Sequence, residues 1–172
     1  MFEMLVPKLR VNTVFDIDLE SLYAKGYRGI ITDLDNTLVG AKAPLATPEL
    51  LEWFERVKNV GFKLVIVSNN NMDRVSRFAT PLNIQYVHQA RKPINAPFRK
   101  AMKLMELSPK ETLVVGDQML TDVYGGNRLG LYTILVLPIS VKDEGIGTRF
   151  NRRVEQIALT RLRKQGLWQE EE

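Results

Sequence analysis

Five short runs rich in Val and Ile, each separated from the next by enough chain for a helix, restrict this sequence more than any other feature. They fall at residues 29–34, 63–67, 84–87, 112–115 and 132–137. None alternates cleanly between apolar and polar, so both faces of the strands must be covered. Strands of this kind interleaved with helical periodicity predict a parallel sheet layered between helices.

The helical segments carry their own punctuation. Thr47 suits an N-cap with Pro48 at the first helical position, and Leu50, Leu51, Phe54, Val57 and Val60 follow at helical spacing before Gly61. Pro97 opens a second helix, in which Phe98, Ala101, Met102, Leu104 and Met105 read as core. A third spans 121–129, where Gly125 and Gly126 permit close packing rather than cradling phosphate. The last spans 151–165 with Val154, Ile157, Ala158 and Leu162 on one face, ahead of a frayed tail at Glu170–Glu172. At 172 residues, one domain is expected. It is an α/β, three-layer, Rossmann-like unit around a mainly parallel five-stranded sheet. Residues 1–26 pack on or near the core, and 149–172 form a C-terminal helix and tail.

Composition narrows the chemistry. No cysteine is present, which excludes disulfide scaffolds, thiolate metal sites and thiol nucleophiles. His88 is the single histidine, so paired-imidazole mechanisms are excluded too, and it reads as structural. The net charge of +4 suits an anionic substrate or surface. Arg149, Arg152, Arg153, Arg161, Arg163 and Lys164 read as a solvated face. No aromatic platform is interleaved with them, so nucleic acid is not an expected partner.

Polar residues gather at the carboxyl ends of the strands, where ligands bind in parallel α/β sheets. Asp33 and Asp35 lie two apart at the end of the first run, on one side of an extended chain. Carboxylates that close repel unless a cation neutralises them or one takes a proton. Mg²⁺ suits such oxygen ligands, leaving one carboxylate as nucleophile and the other as acid and base. The pair also suits a simple turn or helix cap. Ser68 and Asn69 end the second run and can donate to phosphate oxygens. Lys92 follows the third and can balance negative charge. Asp117 follows Gly116, which lets the chain turn at the fourth strand end, and suits either a metal ligand or an N-cap. Asp122, one turn further, can hold Thr121, a metal-bound water or Lys92.

The motifs DLDNTLV (33–39), SNN (68–70), RKP (91–93) and GDQMLTD (116–122), in that order, resemble the haloacid dehalogenase superfamily. Within it, the pattern is similar to the YqeG-type phosphatases of subfamily IIIA, which are similar in turn to phosphatidylglycerophosphate phosphatases. The resemblance implies Mg²⁺-dependent phosphomonoester hydrolysis through an aspartyl-phosphate. Asp33 would be the nucleophile and Asp35 the acid and base. Ser68, Asn69 and Lys92 would bind the phosphoryl group, with Lys92 also catalytic. Asp33, the carbonyl of Asp35 and Asp117 would hold the metal, supported by Thr37 and Asp122. A phospholipid phosphate, with phosphatidylglycerol as product, is one implied substrate. A small soluble phosphometabolite, or a non-catalytic binding role, is the alternative.

The spacings leave no room for a cap domain, because 33 residues separate Asp35 from Ser68 and 24 separate Ser68 from Lys92. An open site is therefore expected. No run is long enough to span a membrane, and the N-terminus does not suit a signal peptide. A cytoplasmic location follows as the expectation, with peripheral attachment to the inner face of a membrane through Phe2, Met4, Leu5 and Val6 beside Lys8 and Arg10. Packing of those residues on the protein's own core is the competing reading.

Overall fold

The computed structural model describes residues 2–168. Its centre is a six-stranded sheet, one strand more than the sequence predicts, with every neighbouring pair parallel. The strands are β1 (Leu9–Val11), β2 (Gly29–Thr32), β3 (Lys63–Val67), β4 (Gln85–Val87), β5 (Thr112–Gly116) and β6 (Tyr132–Val136). Their order across the sheet is β1-β6-β5-β2-β3-β4. The added strand is β1, an edge of three half-buried residues paired to β6 through Leu9 and Ile134. Three residues give no readable alternation, which is why the sequence conceals it.

Successive residues of the central strands feed opposite layers. Ile30, Ile66, Leu113 and Ile134 pack with Leu50, Trp53 and Val57 of α2 (Pro48–Val60). Ile31, Val65, Val67 and Val114 pack with Phe98, Met102 and Met105 of α4 (Asn95–Met105). The first layer also takes α1 (Leu19–Ala24) and α3 (Met72–Ala79), neither of which the sequence reading singled out. Thr47 caps α2 as expected, accepting from the Leu50 amide, and Gly61 closes it. Leu51 and Leu104 turn outward rather than into the core.

The region read as one helix over 121–129 divides in two. A wide π-type turn covers Met119–Val123, and α5 follows (Tyr124–Arg128). Gly125 and Gly126 do serve packing: a Cβ at either would fall 2.6 Å from Phe98 or Thr133. The last helix, α6 (Ile146–Lys164), starts five residues earlier than expected. Ala158 and Leu162 face inward beside Leu5 and Met119, but Ile157 faces solvent. Glu170–Glu172 lie outside the described residues.

The strand order reverses at β2, since the chain moves outward through β3 and β4 and then returns to β5 on the other side. A crevice opens at the carboxyl ends of strands at such a reversal. The chain between Asp35 and Ser68 is used by α2 and β3, and that between Ser68 and Lys92 by α3 and β4, leaving no cap.

Candidate active site

A cavity of about 380 Å³ lies at that crevice, with Asp33, Asp35, Ser68, Asn69 and Lys92 in its wall. Asp33 leaves β2 next to the sheet, and its Oδ1 accepts from the Leu34 amide at 2.8 Å. Lys92 reaches across from the segment after β4. Its Nζ lies 3.0 Å from Asp33 Oδ1 and donates to Asp122 Oδ1 at 2.7 Å. The side chain is nearly sealed from solvent, and the two carboxylates hold its proton more firmly than usual despite burial. Of the partners open to Asp122, the structure thus selects Lys92. The other Asp122 oxygen accepts from the Gln118 amide.

Asp117 does not cap a helix. Its Oδ1 accepts from Thr37 Oγ1 at 3.1 Å, and its Oδ2 takes a short charged hydrogen bond from Arg152. Gly116 is also needed for a different reason than a turn. A Cβ there would lie 2.2 Å from the Asp122 carboxyl, so only glycine leaves space for the carboxylate that holds Lys92.

Ser68, buried at the end of β3, accepts from the Asn70 amide through Oγ at 3.1 Å. Asn69 clasps the backbone of Lys92: Oδ1 accepts from Lys92 N at 2.7 Å, and Nδ2 donates to Lys92 O. Its side chain therefore sets the lysine's approach rather than standing free in the cavity. Asp35 is held from α3, where Arg74 Nε and Nη2 donate to Oδ1 at 3.0 and 2.9 Å. Asn70 Nδ2 donates to the other oxygen at 2.8 Å. Neither role was anticipated, although Asn70 closes the SNN motif and Arg74 follows it in the first turn of α3.

The largest departure concerns Arg152, read from sequence as part of a solvated face. Its guanidinium points into the molecule, bonding Asp117, Glu144 at 2.8 Å and Glu155 at 3.4 Å. Glu155 in turn accepts from the Leu120 amide at the π-type turn. Glu144 also accepts from Asn36, whose φ of 66° is a left-handed geometry that asparagine tolerates. The segment after β6 thus forms one wall of the cavity through Asp143, Glu144, Gly145 and Thr148. No charge pattern distinguishes Arg152 from its neighbours; only Glu155 three residues on hints at an inward pair.

Oxygens of Asp33, Asp117 and Asp122 lie within 4.8 Å of one another, all buried. Burial pushes the Asp33 carboxyl up to about 6, against the pull of Lys92. Burial, with Asp33 and Asp122 nearby, pushes Asp117 up to about 7, against Arg152. Three carboxylates face two cationic side chains, so negative charge remains under-compensated. All-oxygen donors with excess negative charge fit a hard divalent cation.

The sequence pattern of the HAD-hydrolase-like family matches residues 89–142, a span holding Lys92, Asp117 and Asp122. The fold is shared with the cobalt-bound form of deoxy-D-mannose-octulosonate 8-phosphate phosphatase from Haemophilus influenzae. That likeness has a TM-score of 0.51 and 14% identity, covering 83% of this chain and 90% of the other. A bacterial protein is 50% identical over 97% of this chain and 96% of its own length. The chain belongs to the haloacid dehalogenase-like hydrolases and is a phosphatase. That bacterial relative is the Bacillus subtilis (strain 168) protein named "Probable phosphatase YqeG". A plant protein, phosphatidylglycerophosphate phosphatase 1 of Arabidopsis thaliana, is 29% identical over 96% of this chain but only 50% of its own length.

Proposed function

We propose that the protein is a Mg²⁺-dependent phosphomonoesterase that works through an aspartyl-phosphate on Asp33. The observation that carries this reading is Lys92 Nζ lying 3.0 Å from Asp33 Oδ1 inside a cluster of buried carboxylates. Asp33, Asp117 and the main-chain carbonyl of Asp35 would hold the metal, with Asp122 and Thr37 supporting it. When bound, Mg²⁺ supplies positive charge that lets a phosphate dianion approach a carboxylate.

Asp33 attacks phosphorus, and the ester P–O bond breaks. Protonated Asp35 gives its proton to the departing alkoxide. The Asp35 carboxylate then takes a proton from water as that water attacks the same phosphorus. The Asp33–phosphorus bond breaks, the Asp33 carboxylate is restored and inorganic phosphate leaves. Lys92 stays charged throughout and offsets the charge on the equatorial oxygens, while Ser68 offers a hydroxyl donor. Asn69 contributes by fixing Lys92, and Arg74 with Asn70 by aiming Asp35.

Within this class, a phospholipid phosphate fits an open, capless cavity, with phosphatidylglycerophosphate converted to phosphatidylglycerol. The Arabidopsis relative's name supports that substrate. A soluble phosphometabolite remains the second reading. Hydrolysis of p-nitrophenyl phosphate should stop in chelator, return with Mg²⁺, and be absent from Asp33→Asn. Substantial turnover by that variant, or in chelator, would overturn the mechanism. Phosphate release from phosphatidylglycerophosphate in mixed micelles, set against a soluble panel, decides the substrate.

A further inference from the structure

The N-terminal apolar residues are not free to enter a membrane as a group. Leu5 is buried against Met119, Ala158 and Leu162, and Phe2 and Val6 pack on the same cluster. Solvent-facing apolar surface instead gathers on α6. Ile146 is 89% exposed, Phe150 65% and Ile157 58%. At about 100° per residue these three share one outward stripe. Isolated apolar residues on a surface need no explanation, but an aligned set on one helix marks a contact.

Charge on the same helix is one-sided. Arg149, Arg153, Arg161 and Lys164 are exposed around the stripe. The sole carboxylate of α6, Glu155, is buried on the opposite side. A groove of about 530 Å³ runs beside the stripe, where Leu137 and Val141 face Arg149 and Arg153. The first turn of α6 also contributes Thr148 to the catalytic cavity. A helix with apolar centre, cationic flanks and no outward acid matches a headgroup layer that is apolar below and anionic above. A nucleic acid would satisfy the cations but leave Ile146, Phe150 and Ile157 unused.

We propose that the outward face of α6 docks on an anionic lipid bilayer and brings the mouth of the catalytic cavity to the headgroup phosphates. The surface stands on α6 alone, and only what it delivers rests on the phosphatase reading.

The test is co-sedimentation of the full chain with phosphatidylcholine vesicles, with and without phosphatidylglycerol. Binding should need the anionic lipid and fall with salt. Arg149→Glu/Arg153→Glu should weaken it by roughly tenfold or more. Ile146→Ser/Phe150→Ser should weaken it comparably, and both pairs should keep wild-type hydrolysis of p-nitrophenyl phosphate. Since all four side chains are exposed, that hydrolysis and an unchanged melting temperature report an intact fold. Vesicle binding unaffected by either pair, or binding to RNA with none to vesicles, overturns the proposal. Lipid binding without any phosphatase activity would preserve this surface and overturn the catalytic reading instead.

Discussion

Replacing Arg152 by Met should destabilise the protein more than any other single change on α6. The guanidinium is the shared partner of Asp117, Glu144 and Glu155, whose side chains are 0%, 2% and 6% exposed. Removing one member of a buried ion pair costs about 3–5 kcal/mol, because the remaining charge is left without a counter-ion. Arg152 keeps 19% exposure, so water can enter and the lower end, about 3 kcal/mol, is expected. For a chain of this size that corresponds to a fall of about 6–12 °C in melting temperature. Thermal denaturation followed by circular dichroism at pH 8, in chelator, reads it directly. The loss should shrink at pH 5, because burial already raises the pKa of Glu155 and an uncharged carboxyl has no need of the arginine. Arg152→Lys should recover part of the loss, since a point charge meets fewer of the three acids at once. An unchanged melting temperature in Arg152→Met, or a penalty equal at both pH values, would refute the argument that Arg152 serves as a buried counter-ion.

Three further expectations concern the site. Asp33 titrates near 6 when folded against 3.8 as a free side chain, so its charged form opposes folding, and the stability it confers is full below about pH 4 and lost as pH rises through 6. In chelator, Asp33→Asn should therefore match the wild type near pH 4 and exceed it in melting temperature above pH 7; a variant less stable at pH 7–8 would contradict this. Gly116→Ala should push Asp122 off Lys92, costing about 1–3 kcal/mol and most of the turnover, as denaturation and p-nitrophenyl phosphate assays will show. Arg74→Gln should lower kcat roughly tenfold or more while leaving Mg²⁺ affinity unchanged, because it frees Asp35 without touching the buried carboxylates.

The sequence is most legible where burial is complete. The central strands are buried on both faces, so their apolar runs stand out, and the polar residues that end them mark the cavity without further information. Asp33, Lys92, Asp117 and Asp122 are brought together from three separate parts of the chain, as their order suggests. Legibility fails where a residue's role depends on a neighbour distant in sequence. Beyond the hint of Glu155 three residues on, nothing local tells Arg152 from Arg153; the partner that gives Arg152 its place in the site is Asp117, 35 residues away. Asn69 is a similar case: an amide after a strand suits phosphate, and only the fold reveals that Lys92 occupies it first. The short α3, which carries Arg74, does place Met72, Val75, Phe78 and Ala79 at helical spacing, but over only eight residues, too short a stretch to stand out beside the longer helices.

The edge strand β1 bears on how the chain is assembled as it is made. Leu9 pairs with Ile134, 125 residues later, so its partner does not exist when β1 leaves the ribosome. At about 5–20 residues per second, roughly 6–25 s pass between the synthesis of Leu9 and of its partner. Throughout that interval Leu9 and Val11 are without the sheet and the neighbouring core that will cover them. Glu144 and Arg152, which complete the cavity wall, emerge later still. Translation therefore delivers a chain whose Asp33 is present early but whose cavity wall closes only after residues 143–152 have been made. During that wait the exposed segment is open to chaperones.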